Sequence, residues 1–464
     1  MINLILNNII KNNFSIHIKR VIYTFFYLTE GYNDDVCVSD GYKRGCINIY
    51  YGTEPVGSKF IYIPREETKG AVLYFHRYGN YLFASFLRDI DEPFSKINGN
   101  IYFKFDILSV SFFLISCKEE YIIKKRDAIG RFLADYSMRK DKITFPFFDA
   151  HSRILLDSIK MLYQQLNLSN EHFRILLTHD VDSVNSRNKY VFLHNAKELL
   201  YDNNISFAKR FDTLTRSIIY NTHFQFRNYM NIESKRGVKS EFYFIEGRKN
   251  RKGKRYELSD IIQDIRLIED NGCIIGIHTN YFSYDNVENI KKEIMSIEKA
   301  TDIKVKSGRN HYLRFDIPNS WNVLRKAGIM FDSTLGYSDH NGFRAATARP
   351  FLPYDVNNDN IIDIYEIPLV IMDGNIMDKN IPFDEKWRRI KIVIDLICEY
   401  RGTSAILWHN YVLGDPDYKN MYIKILDYIL YKGGQCILSR ELKSDMLYQK
   451  RKIDELMSMV GGNK

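Results

Sequence analysis

Apolar and polar positions along this 464-residue chain follow two different patterns, which change near residue 150. Before that point, short β-rich segments are separated by Gly, Pro and Asp turn signals. From about residue 170 onward, strand-like apolar runs alternate with stretches of helical periodicity. We therefore predict a smaller N-terminal α+β domain over residues 1–150 and a second domain over residues 170–445.

The second region is a series of strand–helix units. The predicted strands span residues 174–181, 240–246, 273–280, 305–312, 331–337, 364–373, 405–410 and 436–442. Helical patterns lie between several of these strands, and Gly272, Gly328 and Gly402 stand where helices are expected to end. Repeated units of this kind predict a parallel α/β fold, with a barrel as the favoured form.

Composition narrows the class of protein. Hydrophobic residues make up 45% and charged residues 27%, which is typical of a folded, soluble chain. The longest apolar runs are about half the length of a membrane-spanning helix, so we expect no membrane span. No cleavage site follows the apolar patch near the start, and the six cysteines form no CxxC pair, which together predict a reduced, cytoplasmic protein.

The charge of the chain says little about nucleic acid. The net charge of +9 is modest, and we expect no nucleic-acid partner. One basic cluster, "EGRKNRKGKRYEL" at residues 246–258, lies between a predicted strand and a predicted helix. Two interpretations stay open for it: a solvated loop, or a contact with phosphates or an anionic glycan.

Titratable side chains gather where the predicted strands end. The first strand closes with "THDVD", which brings two carboxylates and an imidazole within four positions. The side chains at these strand ends are His179, Asp180, Asp182, His278, Thr279, Arg309, His311, Asp332, Tyr337, Trp408 and His409. A carboxylate and imidazoles can hold a divalent cation that polarises a carbonyl and acidifies water, while a second carboxylate takes the water's proton.

Five short motifs within residues 170–445 resemble, in order, those of the polysaccharide deacetylases (carbohydrate esterase family 4, the NodB-like domain). They are "THDVD", "GIHTN", "GRNHYLR", "FDSTLGY" and "ILWHN". The resemblance implies a deformed (β/α)7-type barrel with the reactive groups on its loops. It also implies a carbohydrate deacetylase.

The resemblance assigns roles to five residues. Asp180 matches the general base, and His409 matches the general acid that protonates the leaving group. Asp182 and His278 match metal ligands, and Arg309 would orient Asp180. The implied cofactor is a divalent metal, with zinc as the expected ion.

One departure from the family concerns the metal. The second motif of the family carries another metal-binding His four residues after the first, and this chain has Phe282 at that position. Three residues stay open as the replacement ligand, namely Asp285, His311 and His179, and additional water is a fourth option.

A long segment after the fifth strand, "GYSDHNGFRAATARPFLPYD" at residues 336–355, predicts a loop over the barrel mouth. Its Arg344 and Arg349 are expected to bind a carboxylate or phosphate of the substrate, although ordinary surface ion pairs are the alternative. Trp408, Tyr337 and His311 are further predicted substrate contacts.

These patterns together predict a metal-dependent hydrolase that removes acetyl groups from an N- or O-acetylated carbohydrate, with an anionic glycan as the hypothesis for its substrate. Two alternatives stay open. Phe282 favours a glycan-binding barrel without catalytic activity, and the same chemistry would also suit an amidohydrolase that acts on a small non-sugar amide. The role of the N-terminal region is not indicated by any motif.

Overall fold

A computed structural model of the chain describes residues 1–6, 16–30, 36–66, 72–164, 172–184, 224–376 and 381–461. Two main sheets organise these residues, one in each of the two regions distinguished above. The residues predicted to bind metal or transfer protons lie on or just after strands of the second sheet.

The first region contains eight described strands and four described helices. The strands are β1 (Ile2–Leu6), β2 (Val36–Ser39), β3 (Ile47–Tyr51), β4 (Phe60–Ile63), β5 (Tyr74–Tyr78), β6 (Tyr81–Ser85), β7 (Phe94–Ile97) and β8 (Asn100–Phe103). The helices are α1 (Ile16–Thr29), α2 (Ile107–Ile115), α3 (Glu119–Ile122) and α4 (Phe147–Leu162). The sheet has the order β2-β1-β3-β4-β8-β7 and is parallel except for the β7–β8 pair, while β5 and β6 form a separate hairpin.

The second region contains eleven described strands and seven described helices. The strands are β9 (Arg174–Val181), β10 (Glu241–Ile245), β11 (Ile274–Thr279), β12 (Ser307–Asn310), β13 (Phe331–Asp332), β14 (Tyr354–Asp355), β15 (Asn360–Ile361), β16 (Tyr365–Glu366), β17 (Leu369–Met372), β18 (Thr403–Leu407) and β19 (Gln435–Ile437). The helices are α5 (Phe226–Ser234), α6 (Ile262–Asp270), α7 (Val287–Thr301), α8 (Asn319–Ala327), α9 (Phe383–Glu399), α10 (Pro416–Tyr431) and α11 (Lys443–Gly461).

The sheet of the second region is parallel and curled. Its order is β16-β13-β12-β11-β10-β9-β18-β17, with β19 also paired to β9. The two ends of this order belong to one segment, because only Ile367 and Pro368 separate β16 from β17. That segment pairs with β13 through β16 and with β18 through β17, so the sheet curls back on itself. The predicted parallel α/β fold is confirmed in this form.

Local sequence explains why these elements form. Residues 175–181 of β9 are all buried. A parallel strand in such a sheet is covered on both faces, which explains the apolar run with which β9 begins. Helix α7 begins after Asn286, whose side chain accepts a hydrogen bond from the backbone N–H of Asn289. Helix α8 ends at Gly328, which has a φ of 103°, as the sequence predicted for a helix terminus.

The two regions share one hydrophobic core. Tyr23 on α1 donates a hydrogen bond to the carbonyl of Leu352 at 2.9 Å, and Tyr27 donates one to Gln449 at 2.9 Å. Buried side chains of both sheets belong to the same packed cluster. The boundary predicted at residue 150 falls inside α4, and the division into two domains stays a prediction.

The described helices are amphipathic or short. The 19-residue helix α11 carries charged side chains along its length. None of the helices in the described ranges is both long and apolar enough to cross a membrane.

Candidate metal centre and active site

The carboxyl ends of parallel strands meet around one cavity of about 560 Å³. Asp180 and Asp182 lie at the end of β9, and His278 lies at the end of β11. His311 follows β12, and His409 follows β18. All five side chains line this cavity, as expected for the carboxyl edge of a parallel sheet.

Asp182, His278 and His311 form a group that could hold a metal ion, since one ligand atom of each lies within 4.8 Å of the others. Asp182 Oδ1 lies 3.4 Å from His278 Nε2 and 3.5 Å from His311 Nε2. Neighbouring ligands of a tetrahedral zinc ion, bound at roughly 2.1 Å, are separated by roughly 3.4 Å. The two measured separations match that spacing.

The hydrogen bonds around the group also fit a cation. His278 Nδ1 lies 3.0 Å from the carbonyl oxygen of Arg309, so Nδ1 donates and the lone pair of Nε2 faces Asp182. Asp182 Oδ1 and His311 Nδ1 are buried atoms with no hydrogen-bond partner among the described residues. A buried carboxylate oxygen without a partner is costly, and a bound cation removes that cost.

The protonation states suit metal binding. Burial opposes the charged form of Asp182, but His311, His278 and His409 hold the pKa of Asp182 well below its usual range. Burial lowers the pKa of His311, against the opposing effect of Asp182. The group therefore offers an ionised carboxylate, which is the form that binds metal.

Asp180 is held by a buried guanidinium. Arg309 Nη1 donates to Asp180 Oδ1 at 2.7 Å, and Arg309 is fully buried. Thr178 and Ser333 fix the same guanidinium, because Arg309 Nη2 donates to both hydroxyls at 2.9 Å and Nε donates to the carbonyl of Ser333 at 2.8 Å. Asp180 Oδ1 is thus occupied, while Oδ2 lies 3.4 Å from His278 Nε2 beside the candidate metal group.

His409 is oriented by Asp373, a residue that the sequence analysis missed. His409 Nδ1 lies 2.9 Å from Asp373 Oδ1, and the backbone N–H of His409 donates to Oδ2 at 2.5 Å. Burial opposes the charged form, but Asp373, together with Asp182 and Asp180, raises the pKa of His409 to about 10. A charged imidazole therefore lines the cavity. The available signal was the position of Asp373, which ends the predicted strand 364–373.

The structure separates the three proposed replacements for the absent second histidine. His311 joins the candidate metal group, although its predicted role also included substrate contact. His179 lies behind the site, with Nδ1 2.7 Å from the carbonyl of Trp408 and Nε2 2.9 Å from Glu233. Asp285 is exposed and does not line the described cavity wall.

The loop arginines predicted to bind substrate are used inside the protein instead. Arg344 is 2% exposed, and its Nε and Nη2 donate to the two carboxylate oxygens of Glu120 at 2.8 Å each. Arg349 Nε donates to Asp149 at 2.8 Å. Neither arginine lies on the described cavity wall. The prediction for both is corrected here, because carboxylates from the N-terminal region pair with these side chains.

The aromatic residues predicted to contact substrate are likewise buried away from the described cavity wall. Tyr337 is 2% exposed, and its hydroxyl accepts a hydrogen bond from Arg139 at 3.3 Å. Trp408 has no exposed surface and packs against Tyr422 with ring centroids 5.6 Å apart. Aromatic side chains at these strand ends serve the core, so both predictions are corrected.

Other residues also line the cavity. Arg251 and Arg255 come from the basic cluster at residues 246–258, and Arg131 comes from the N-terminal region. Tyr411 and Tyr418 follow the β18 strand. The sequence analysis noted the basic cluster, with a phosphate or anionic-glycan contact as one open interpretation, but no motif indicated Arg131, Tyr411 or Tyr418, because their segments reach the cavity only through the folding of the chain.

Comparison with known proteins gives one family match and several similar structures. Residues 15–164 match a family of unknown function, DUF7033. No curated protein matches the chain. The chain is similar to a putative polysaccharide deacetylase from Mycobacterium smegmatis, with 14% identity over 61% of this chain and 92% of that one and a TM-score of 0.42.

Two further structures are similar at the same level of identity or lower. Puue allantoinase is 12% identical over 60% of this chain and 90% of its own, with a TM-score of 0.42. A CE4 family pseudoenzyme from Bacillus anthracis is 12% identical over 58% of this chain and 64% of its own, with a TM-score of 0.29.

Proposed function

We propose that this protein is a metal-dependent hydrolase that removes acetyl groups from an acetylated carbohydrate, and that its curled sheet is a deformed (β/α)7 barrel. One observation carries the proposal: the candidate metal group lies between a carboxylate and a charged imidazole. Asp180 Oδ2 is 3.4 Å from His278 Nε2, and His409 Nε2 is 4.0 Å from Asp182 Oδ2. Metal-assisted hydrolysis of an ester or amide uses such a set of groups: a bound cation, a base and an acid.

Asp182, His278 and His311 would hold the divalent cation, for which we propose zinc. One carboxylate and two imidazoles form a three-residue ligand set that is common in catalytic zinc sites and leaves a position for water or substrate. When bound, such an ion polarises the acyl carbonyl and lowers the pKa of water.

The remaining residues move protons. Asp180 accepts the proton of the attacking water, and Arg309, whose Nη1 lies 2.7 Å from Asp180 Oδ1, orients this carboxylate. His409 gives its Nε2 proton to the departing nitrogen or oxygen as the carbon–heteroatom bond breaks. Asp373 holds His409 in the charged form. One water is consumed, and acetate and the free amine or hydroxyl are formed.

Two other functions are tested by the same experiment. A glycan-binding barrel without activity was favoured by Phe282, but His311 now offers the ligand that Phe282 cannot supply. An amidohydrolase acting on a small non-sugar amide would use the same residues, so only its substrate would differ.

The deciding experiment measures bound metal and released acetate together. The full-length protein is loaded with zinc, its metal content is determined, and acetate is measured with N- and O-acetylated oligosaccharides and with simple acetamides. We expect near-stoichiometric zinc, release from the sugars, and loss of turnover with retained zinc in Asp180→Asn and His409→Gln. Absence of bound zinc contradicts the metal-dependent mechanism. Bound zinc with release from simple amides alone contradicts the carbohydrate substrate.

A further inference from the structure

Three arginines from two distant parts of the chain line the same cavity as the candidate metal group. Arg251 and Arg255 lie in the loop between β10 and α6, and Arg131 lies between α3 and α4. Arginine binds carboxylates and phosphates with a planar pair of donors, so its presence on a cavity wall bears on the kind of ligand.

The cationic side chains of the loop at residues 246–258 have different surroundings. Lys249 and Lys254 donate to Glu257 at 2.9 and 2.7 Å, away from the described cavity wall. Lys252 lies over the ring of Tyr281 at 4.6 Å.

The remaining cations of that loop are its arginines. Arg248 lies over the ring of Phe282 at 4.8 Å, whereas Arg251 and Arg255 reach the cavity. Of the six cationic side chains in residues 246–258, only Arg251 and Arg255 line the described cavity wall.

Internal contacts fix two of the three arginines in place. Arg131 Nε donates to Asp127 at 2.8 Å, and Nη1 donates to the carbonyl of Tyr312 at 3.3 Å, next to the candidate ligand His311. Arg255 Nε donates to the carbonyl of Arg251 at 3.0 Å. These hydrogen bonds hold the guanidinium groups near the metal group before any ligand arrives.

The carboxylates of the same cavity have partners of their own. Asp180 pairs with Arg309 at 2.7 Å, and Asp373 pairs with His409 at 2.9 Å. Asp182 faces the histidines of the metal group. These acidic side chains therefore have partners within the candidate site. Arg251 and Arg255 add positive charge around it, and Arg131 adds a guanidinium that also pairs with Asp127.

We propose that Arg131, Arg251 and Arg255 bind an anionic group, a carboxylate or a phosphate, that the acetylated carbohydrate carries beside its acetyl group. This inference rests on the proposed function for the identity of the ligand as a sugar. It moves the anion contact from the loop arginines Arg344 and Arg349 to a separate set of side chains.

The test compares three sugars that differ in charge: N-acetylglucosamine, its 6-phosphate, and the corresponding N-acetylated uronic acid. Calorimetry with the zinc-loaded, full-length protein gives Kd, and acetate release is measured in parallel. We expect at least one charged sugar to bind about tenfold more tightly than the neutral one, the effect of one additional charged hydrogen bond. Preference for the phosphate or for the uronic acid identifies the anion.

Matched variants assign the preference to the arginines. The double variant Arg251→Gln/Arg255→Gln should abolish the preference for a charged sugar over the neutral one. Arg131→Gln, in a separate segment, should weaken that preference. Lys249→Gln removes one charge from the same loop outside the cavity wall and should leave it unchanged. Equal affinity for all three sugars, no binding of any, or an unchanged preference in a folded arginine variant overturns the inference.

The readouts keep the two proposals distinct. Acetate release from neutral and charged sugars at equal efficiency leaves the hydrolase standing and rejects the anion site. Arginine-dependent binding of a charged sugar without acetate release supports the anion site and contradicts the hydrolase.

Discussion

His311 Nε2 lies 3.5 Å from Asp182 Oδ1, although two strands, β11 and β10, separate β12 from β9 in the sheet. The curl of the sheet brings the carboxyl ends of these strands around one cavity. His311 can therefore take the ligand position that the polysaccharide deacetylase motif assigns to a histidine where this chain has Phe282.

We predict that His311→Ala weakens zinc binding by about 100-fold or more, because loss of a ligand exceeds the 10–100-fold effect of losing a residue that supports one. Competition with a chromogenic chelator measures the affinity. Phe282→Ala is the control: Phe282 is 41% exposed and does not line the described cavity wall, so zinc affinity should not change. Equal loss in both variants would contradict the assignment of His311.

The pairing of Asp373 with His409 predicts a change in pH dependence. Asp373→Asn removes the largest of the three carboxylate effects that raise the pKa of His409 to about 10, the others being those of Asp182 and Asp180, so the imidazole loses its proton at lower pH. Because the charged form is the proton donor, activity should fall at a lower pH than in the wild type, and kcat at neutral pH should drop by about 10²-fold. Zinc content should be unchanged. An unaltered alkaline limb in the pH–rate profile would remove His409 as the acid.

The buried pair of Arg344 and Glu120 predicts a loss of stability. Arg344→Met removes the bidentate partner of the buried Glu120 and leaves only Arg126, at 3.8 Å, beside it; breaking a buried pair typically costs about 3–5 kcal/mol in the free energy of unfolding. The double variant Arg344→Met/Glu120→Leu should recover much of that loss. Urea denaturation measures both values.

An exposed pair provides the control for that experiment. Arg388 and Glu385 lie on the surface of α9, and Arg388→Met should change the unfolding midpoint little.

A stable Arg344→Met protein that has lost affinity for charged sugars would restore Arg344 as a substrate contact.

Two buried carboxyl groups inside the curled sheet predict pH-dependent stability. Burial and then the neighbouring Asp332 raise the pKa of Glu366 well above its usual range, and burial raises that of Asp332. The folded protein therefore keeps a proton on the Asp332–Glu366 pair at pH values where the unfolded chain, with ordinary carboxyl pKa values, has released it. Stability from this source is therefore complete at low pH and is lost as the pH rises toward the raised pKa.

Asp332→Asn should make that decline shallower, by up to about 1.4 kcal/mol per pH unit, because one of the two competing carboxylates is removed. Unfolding midpoints in urea between pH 5 and pH 8 test the slope. Asp260→Asn, a substitution at an exposed position, should leave the slope as it is in the wild type. An identical slope in wild type and Asp332→Asn would show that the pair does not hold the proton.

The sequence by itself determined the parallel α/β class and five of the side chains that line the candidate site. Parallel strands covered on both faces read as apolar runs, and the polar residue that ends each run lies at the carboxyl edge whichever strand is its neighbour. Asp180, Asp182, His278 and His409 could be predicted for this reason. The same pattern also selected His179, Tyr337 and Trp408, which lie away from the described cavity wall, so the pattern does not decide which strand-end residues reach the cavity.

Only the tertiary structure decided which groups pair. Asp373 ends a strand as plainly as Asp180 does, but its role depends on the register between β17 and β18, which brings His409 beside it. Arg344 lies in a loop whose composition predicted a substrate contact. Glu120 nevertheless pairs with Arg344 once the N-terminal region packs on the sheet. Pairing of charges is a long-range property, because a buried guanidinium is stable only where another part of the chain supplies its carboxylate.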